Sequence, residues 1–137
     1  MKYVFGFFLL IIFYSSISAN EYKYTKIIKL KKDQSKKILV KYEKQEKLFK
    51  FRWTLFANGG LVVLRSYDRT VAQNMLYLRR KNQSFRLYLK PKGNDFSKSP
   101  YILMKFEKFN YETNEVTFIL HLSDKNSEIY LEYLKDK

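Results

Sequence analysis

The sequence predicts an all-β fold, a single antiparallel meander of about eight or nine strands forming a sandwich or small barrel. Three observations lead there. Apolar and polar residues alternate with period two along most of the chain. Turn-forming residues interrupt that alternation about every 8 to 12 residues, as in an all-β domain. Aromatics make up 18% of the 137 residues, enough to fill a core between sheets.

The elements follow in order. YKYTKIIKLK (Tyr22 to Lys31) and KILVKYE (Lys37 to Glu43) flank the turn-like Lys32-Asp33-Gln34-Ser35. LFKFRWTLF and LVVLRSY are joined by Asn58-Gly59-Gly60. Asn-Gly suits the positive φ angles of a two-residue hairpin loop, and Gly59-Gly60 would serve in a second register. Both registers give the same faces, because a shift of two preserves the pleat. One face, the expected core, carries Phe49, Phe51, Trp53, Leu55, Val62 and Leu64. The other carries Lys50, Arg52, Thr54, Phe56, Leu61, Val63, Arg65 and Tyr67.

NMLYLRR and SFRLYLK read as the next hairpin, across Lys81-Asn82-Gln83. Leu76, Leu78, Phe85, Leu87 and Leu89 then share one side, and Tyr77, Arg79, Arg86 and Tyr88 the other. The region 69–80 also has a helical reading, with Val71, Met75 and Leu78 at helix spacing and Asp68 or Thr70 as cap. KPKGNDFSKSP (Lys90 to Pro100) is the longest loop and flanks the basic block. YILMKFEKF and EVTFILHLS are separated by Asn110 to Asn114, and EIYLEYL closes the set after Asp124 to Ser127.

Residues 1–19 read as a cleaved secretory signal peptide, leaving 20–137 as one β-rich domain. Lys2 precedes an apolar stretch from Tyr3 to Tyr14 that is too short to span a bilayer. Small residues at Ser16, Ser18 and Ala19 suit a signal peptidase, with cleavage after Ser18 or Ala19. Ile17 fits that site imperfectly, and an uncleaved anchor is the alternative. The expected location is periplasmic or secreted, with no membrane span after cleavage. Charges on most strands argue against a transmembrane β-barrel. The absence of cysteine excludes disulfides and thiolate chemistry, so burial must hold the domain together.

The net charge of +14 is unevenly placed. From Lys47 to Asn94 there are eleven basic residues and one acid, Asp68, and all six arginines lie between Arg52 and Arg86. An AT-rich genome overproduces lysine through its codons, but it does not cluster arginines. A block of one sign points to an anionic partner: a lipid head group, a polyanionic glycan or an acidic envelope protein. Arginine beside tyrosine on a pleat can grip phosphate or carboxylate while stacking on the ring. Arg52, Arg65, Tyr67, Tyr77, Arg79, Arg86 and Tyr88 are therefore the candidate binding residues. The plainer reading makes them solvated strand residues.

Catalytic signals are weak. The glycine pair leads into a strand, whereas a phosphate loop leads into a helix. His121 is the single histidine, and without cysteine it offers no usual zinc site. No G-x-S-x-G turn is present. Glu107, Glu112, Glu115, Glu128 and Glu132 alternate with lysines as solvated residues do, and Asp68 is expected to pair with Arg65 or Arg69 or to shape a turn. No catalytic residue, metal ligand or cofactor site is expected. Arginines and aromatics on a sheet also suit single-stranded nucleic acid, but export argues against that partner. The reading is an exported, non-enzymatic protein binding an anionic envelope component. The alternative is a structural or adaptor protein that docks a partner at a sheet edge.

Overall fold

The computed structural model describes residues 22–90, 99–125 and 128–135. The expected signal peptide with its cleavage site, and most of the Lys90 to Pro100 loop, lie outside them. The strands are β1 (Tyr24–Lys31), β2 (Lys36–Tyr42), β3 (Gln45–Ala57), β4 (Gly60–Tyr67), β5 (Thr70–Tyr77), β6 (Ser84–Tyr88), β7 (Tyr101–Asn110), β8 (Glu115–Ser123) and β9 (Tyr130–Tyr133). They form two antiparallel sheets packed as a sandwich, in the orders β1-β8-β7-β6 and β5-β4-β3-β2-β9.

Three two-residue turns generate most of the larger sheet: Glu43-Lys44, Asn58-Gly59 and Asp68-Arg69. All six turn residues have positive φ, between 47° and 78°. That turn type matches the twist of antiparallel strands. Asn58-Gly59 is thus the loop of the two glycine registers considered. The β7–β8 loop is longer, and Asn110 Oδ1 accepts hydrogen bonds from the Glu112 and Thr113 N–H groups within it.

The path is not a simple meander. The chain changes sheets between β1 and β2, between β5 and β6, and between β8 and β9. The turn expected at Lys32 to Ser35 forms, but the strands it joins lie in different sheets and do not pair. Gln34 ties back to Lys31 and the Asp33 N–H donates to the Trp53 carbonyl across the sandwich. The hairpin expected between NMLYLRR and SFRLYLK is absent: β5 pairs with β4 and β6 with β7. Region 69–80 is a strand through Tyr77, not a helix. The Asp68-Arg69 turn sets it in register with β4, and eight residues of sheet pairing outweigh a modest helical spacing.

Two β-bulges decide which side chains face inward. Thr54 is the extra residue between the pairs Trp53↔Val63 and Leu55↔Val62, and Glu107 lies between Phe106↔Phe118 and Lys108↔Thr117. Each bulge changes the inward spacing from two residues to three. Trp53 and Phe56 of one sheet therefore meet Phe106 and Phe109 of the other. Phe56 stacks on Phe109 at 4.3 Å between centroids, while Trp53 meets Phe109 and Phe56 meets Phe106 edge-on at 5.7 and 5.9 Å.

The Thr54 bulge also corrects the expected faces of the third and fourth strands. Leu61, Val63 and Tyr67 are buried and Arg65 shares their side, whereas Leu55, Val62 and Leu64 face outward. Without the bulge Trp53 would oppose Leu64 and the expected faces would follow. The core continues through Ile38, Val40, Phe49 and Phe51 of the larger sheet against Leu30, Met104, Phe106 and Phe118 of the smaller. Two side-chain-to-carbonyl hydrogen bonds also cross between the layers, from Trp53 Nε1 to the Leu30 carbonyl at 2.8 Å and from Tyr67 Oη to the Leu89 carbonyl at 2.6 Å. At the β8–β9 crossover the buried Asp124 carboxylate accepts from the Ile129 N–H at 2.7 Å and from Lys23 at 3.2 Å.

Replacing Trp53 with Phe leaves the Leu30 carbonyl without its donor and is expected to cost about 2 kcal/mol in urea unfolding. Lys44→Gly should have the opposite sign, since lysine at φ 61° is in a left-handed conformation. A rise of about 1 kcal/mol is expected from the same measurement.

Candidate anion-binding cleft

The sandwich is incompletely filled at the side where β5 and β6 lie as sheet edges. Register with β4 places Thr70, Ala72, Asn74 and Leu76 on the inner side of β5. Of these only Leu76 is buried. Small and polar residues leave the layers apart there, facing Leu87 and Leu89 of the opposite sheet edge. The result is a cleft of about 260 Å³ reached by Lys47, Arg65, Tyr67 and Lys90. Pockets for drug-sized ligands run from about 300 Å³ upward. This one suits a single side chain or head group.

Three cations approach the cleft, and two are already neutralised. Lys47 points inward in phase with Phe49 and pairs with Asp68 at 2.8 Å. Asp68 shapes the β4–β5 turn, one of its two expected roles, and its carboxylate pairs with a lysine rather than with Arg65 or Arg69. That contact, chiefly the hydrogen bond to Asp68, raises the Lys47 pKa. Lys90 is held by Glu128 and by Glu43, and its pKa also rises. Both ammonium groups lie over the Tyr42 ring, at 5.6 and 5.5 Å from its centroid.

Arg65 differs. Its guanidinium is half-buried, packs 4.6 Å from the Phe85 ring centroid and donates from Nε to Asn74 Oδ1 at 2.7 Å. Among the described residues it has no carboxylate partner. Burial lowers its pKa, but an arginine remains charged inside a protein. Among the described residues, this partly desolvated cation in the cleft has as direct partners a neutral amide and a ring face. Tyr67 stays protonated beside it, because burial pushes its pKa well up.

The seven candidate residues do not share one surface. Arg65, Tyr67 and Tyr88 line the cleft. Arg52 and Tyr77 lie on the outer face of the larger sheet, by their register with Leu64 and Gly60. Arg86 is on the outer face of the smaller sheet, 4.6 Å from the Tyr101 ring centroid, with Tyr88 beside that ring. Arg79 sits exposed in the β5–β6 connection with φ 58°. Two features separate these residues: the bulge turns Arg65 and Tyr67 inward, and the crossover after β5 puts Tyr77 and Tyr88 in different sheets. Lys47, Asn74 and Lys90 were missing from the candidate set. Lys47 was legible, since it precedes Phe49, Phe51 and Trp53 at intervals of two.

A division of labour between the two basic residue types is visible across the molecule. Among the described residues the salt bridges are made by lysines: Lys23, Lys41, Lys47, Lys90 and Lys105 take Asp124, Glu46, Glu132, Asp68, Glu43, Glu128 and Glu107 between them. No arginine pairs with a carboxylate among those residues. His121 lies on the outer face of β8, within 2.9 Å of Thr25 Oγ1 and stacked on Tyr22. Among the described residues no cluster of His, Asp and Glu is arranged to hold a metal ion, and no helix is long and apolar enough to cross a membrane.

If Arg65 were present for stability, removing its charge would be costly. We expect instead that Arg65→Met, which keeps an apolar stem over Phe85, raises stability by on the order of 1 kcal/mol in urea. Tyr67→Phe, which removes the bond to Leu89, should lower it by about 1 kcal/mol. No protein-family model matches the chain, and no curated protein or solved structure matches it.

Proposed function

We propose that the protein is an exported, non-enzymatic binding protein that holds an anionic group of an envelope component in the cleft at Arg65. The component is a glycan, a lipid head group or an acidic protein, and the periplasm or cell exterior follows from the signal-peptide pattern. One observation carries the reading: Arg65 is a half-buried guanidinium with no carboxylate partner among the described residues, at the mouth of a cleft the size of one anionic group. A charge kept partly out of water at a cost to the fold is compensated when an anion enters. Tyr67, Tyr88 and the neighbouring lysines shape the opening, and the net +14 raises the local concentration of polyanions.

The binding should weaken with salt, since exposed parts of the contact are screened. The test uses the mature chain against phosphatidylglycerol vesicles, polyglucuronate and polyglutamate at low and high salt. Retention of at least one probe at low salt is expected, with Arg65→Gln reducing affinity about tenfold, in line with the strength of a charge-assisted hydrogen bond. Arg52→Gln, on the far face, should change it little. Unchanged affinity of Arg65→Gln for every probe, or no retention at all, would overturn the reading.

A further inference from the structure

The four sheet edges are unequally protected. β1 carries Lys26, Lys29 and Lys31, β6 is five residues long with Arg86, and β9 is four residues long with Glu132. β5 is eight residues long, TVAQNMLY, with no charge, proline or bulge. Soluble proteins normally guard an edge by one of those means. Val71 and Met75 on this strand are 77% and 48% exposed.

Among the described residues nothing pairs with the outer hydrogen-bonding side of β5 ahead of Tyr77. The Asp68-Arg69 turn makes Tyr67 and Thr70 a hydrogen-bonded pair, so the groups of Ala72, Asn74 and Leu76 also point toward β4. Those of Val71, Gln73 and Met75 point away from it. Among the described residues they have no partner. The edge ends at Tyr77, whose N–H donates to the Asn82 carbonyl at 3.1 Å.

The cleft lies between this edge and β6. A strand added beside β5 would cross the cleft mouth, and every second side chain would point into it past Thr70 and Ala72. Arg65 pairs with Ala72 in the register, so its guanidinium faces that row. At the two ends of β5 stand Arg69, Arg79 and Arg80, all exposed. An antiparallel second copy would set Arg69 of one chain near Arg79 and Arg80 of the other. The charge pattern disfavours self-pairing and suits an acidic occupant.

We propose that β5 takes up an extended, acidic segment of a partner protein by strand addition, with an Asp or Glu of that segment entering the cleft to pair with Arg65. This rests on the reading of the cleft as an anion site and names its partner class. The backbone ladder from Val71, Gln73 and Met75 supplies sequence-independent affinity, and Arg65 supplies selection for acid.

The test titrates the mature chain with a capped peptide about as long as β5, alternating Thr and Val with a central Glu. The measurements are amide NMR and fluorescence anisotropy. The amides of Val71, Gln73 and Met75 should shift and become protected from exchange. Affinity should fall about tenfold with Gln in place of the peptide Glu. It should be lost when the peptide is N-methylated along one edge, a control that leaves the protein untouched. Gln73→Pro should also abolish it, since that N–H makes no bond to β4 and proline is tolerated at an edge. Inorganic phosphate should still perturb Arg65 in that variant.

If peptide affinity survives both N-methylation and Gln73→Pro but falls with Arg65→Gln, strand addition is wrong and the cleft reading stands. Equal affinity of wild type and Arg65→Gln for peptide and phosphate would remove the cleft reading itself. A dimer of the mature chain abolished by Gln73→Pro would make a second copy the occupant. Retention by phosphatidylglycerol vesicles without any peptide binding would make the partner a membrane. Either result overturns the proposal.

Discussion

The single extra residue Thr54 governs more of this molecule than any contact in its core. Inserted between the pairs Trp53↔Val63 and Leu55↔Val62, it reverses the pleat of β3 relative to the Asn58-Gly59 turn. Everything beyond the turn inherits that choice. Leu61 and Val63 enter the core, Arg65 and Tyr67 follow them inward, and Leu55 is left outside. The inner residues of β5 are set by the same register, because β5 is aligned on β4 by a two-residue loop. The Glu107 bulge answers on the opposite sheet, so that two pairs of aromatic rings at matching spacing meet. Edge-on and offset ring contacts of this kind favour one relative placement of the layers.

The cleft follows from where the core stops. Trp53, Phe49, Phe51 and Phe118 fill the middle of the sandwich completely, and the bonds from Trp53 and Tyr67 tie the layers on either side of it. Beyond Tyr67 the inner positions of β5 ahead of Leu76 carry the small or polar Thr70, Ala72 and Asn74, and a cation stands where an apolar residue would complete the core. A fold selected only for stability would place a leucine or methionine near Arg65. Under the reading proposed above, the charge is kept where a partner can reach it at a local cost in stability, the trade expected of a site rather than of a scaffold.

Charge is sorted by residue type as well as by position. The lysines meet the acids in ion pairs around the molecule, most of them partly exposed and individually worth little. Among the described residues the arginines stand apart from carboxylates, and three lie beside rings: Arg65 at Phe85, Arg80 at Tyr77, Arg86 at Tyr101. A guanidinium attracted to a ring face still has hydrogen-bond donors to offer an anion. The excess positive charge of the middle block is therefore not consumed by internal pairing among the described residues.

Period-two alternation, the turn dipeptides and the supply of aromatics were sufficient to read an all-β domain strand by strand, because pleat and turn chemistry are local. Asn58-Gly59 was legible as a hairpin loop for that reason, and Lys47 could have been read as inward-facing. The arginine cluster was legible as a block of charge. What the chain by itself left open was anything that depends on counting across a strand pair. A bulge has no signature of its own at Thr54, yet it inverts the face of every residue after it, so Arg65 and Tyr67 were assigned to the wrong side. The partner of a strand was equally hidden: β5 and β6 resemble a hairpin in sequence, and only packing places them at the edges of opposite sheets. The cleft exists between elements that sequence proximity pairs and tertiary structure separates.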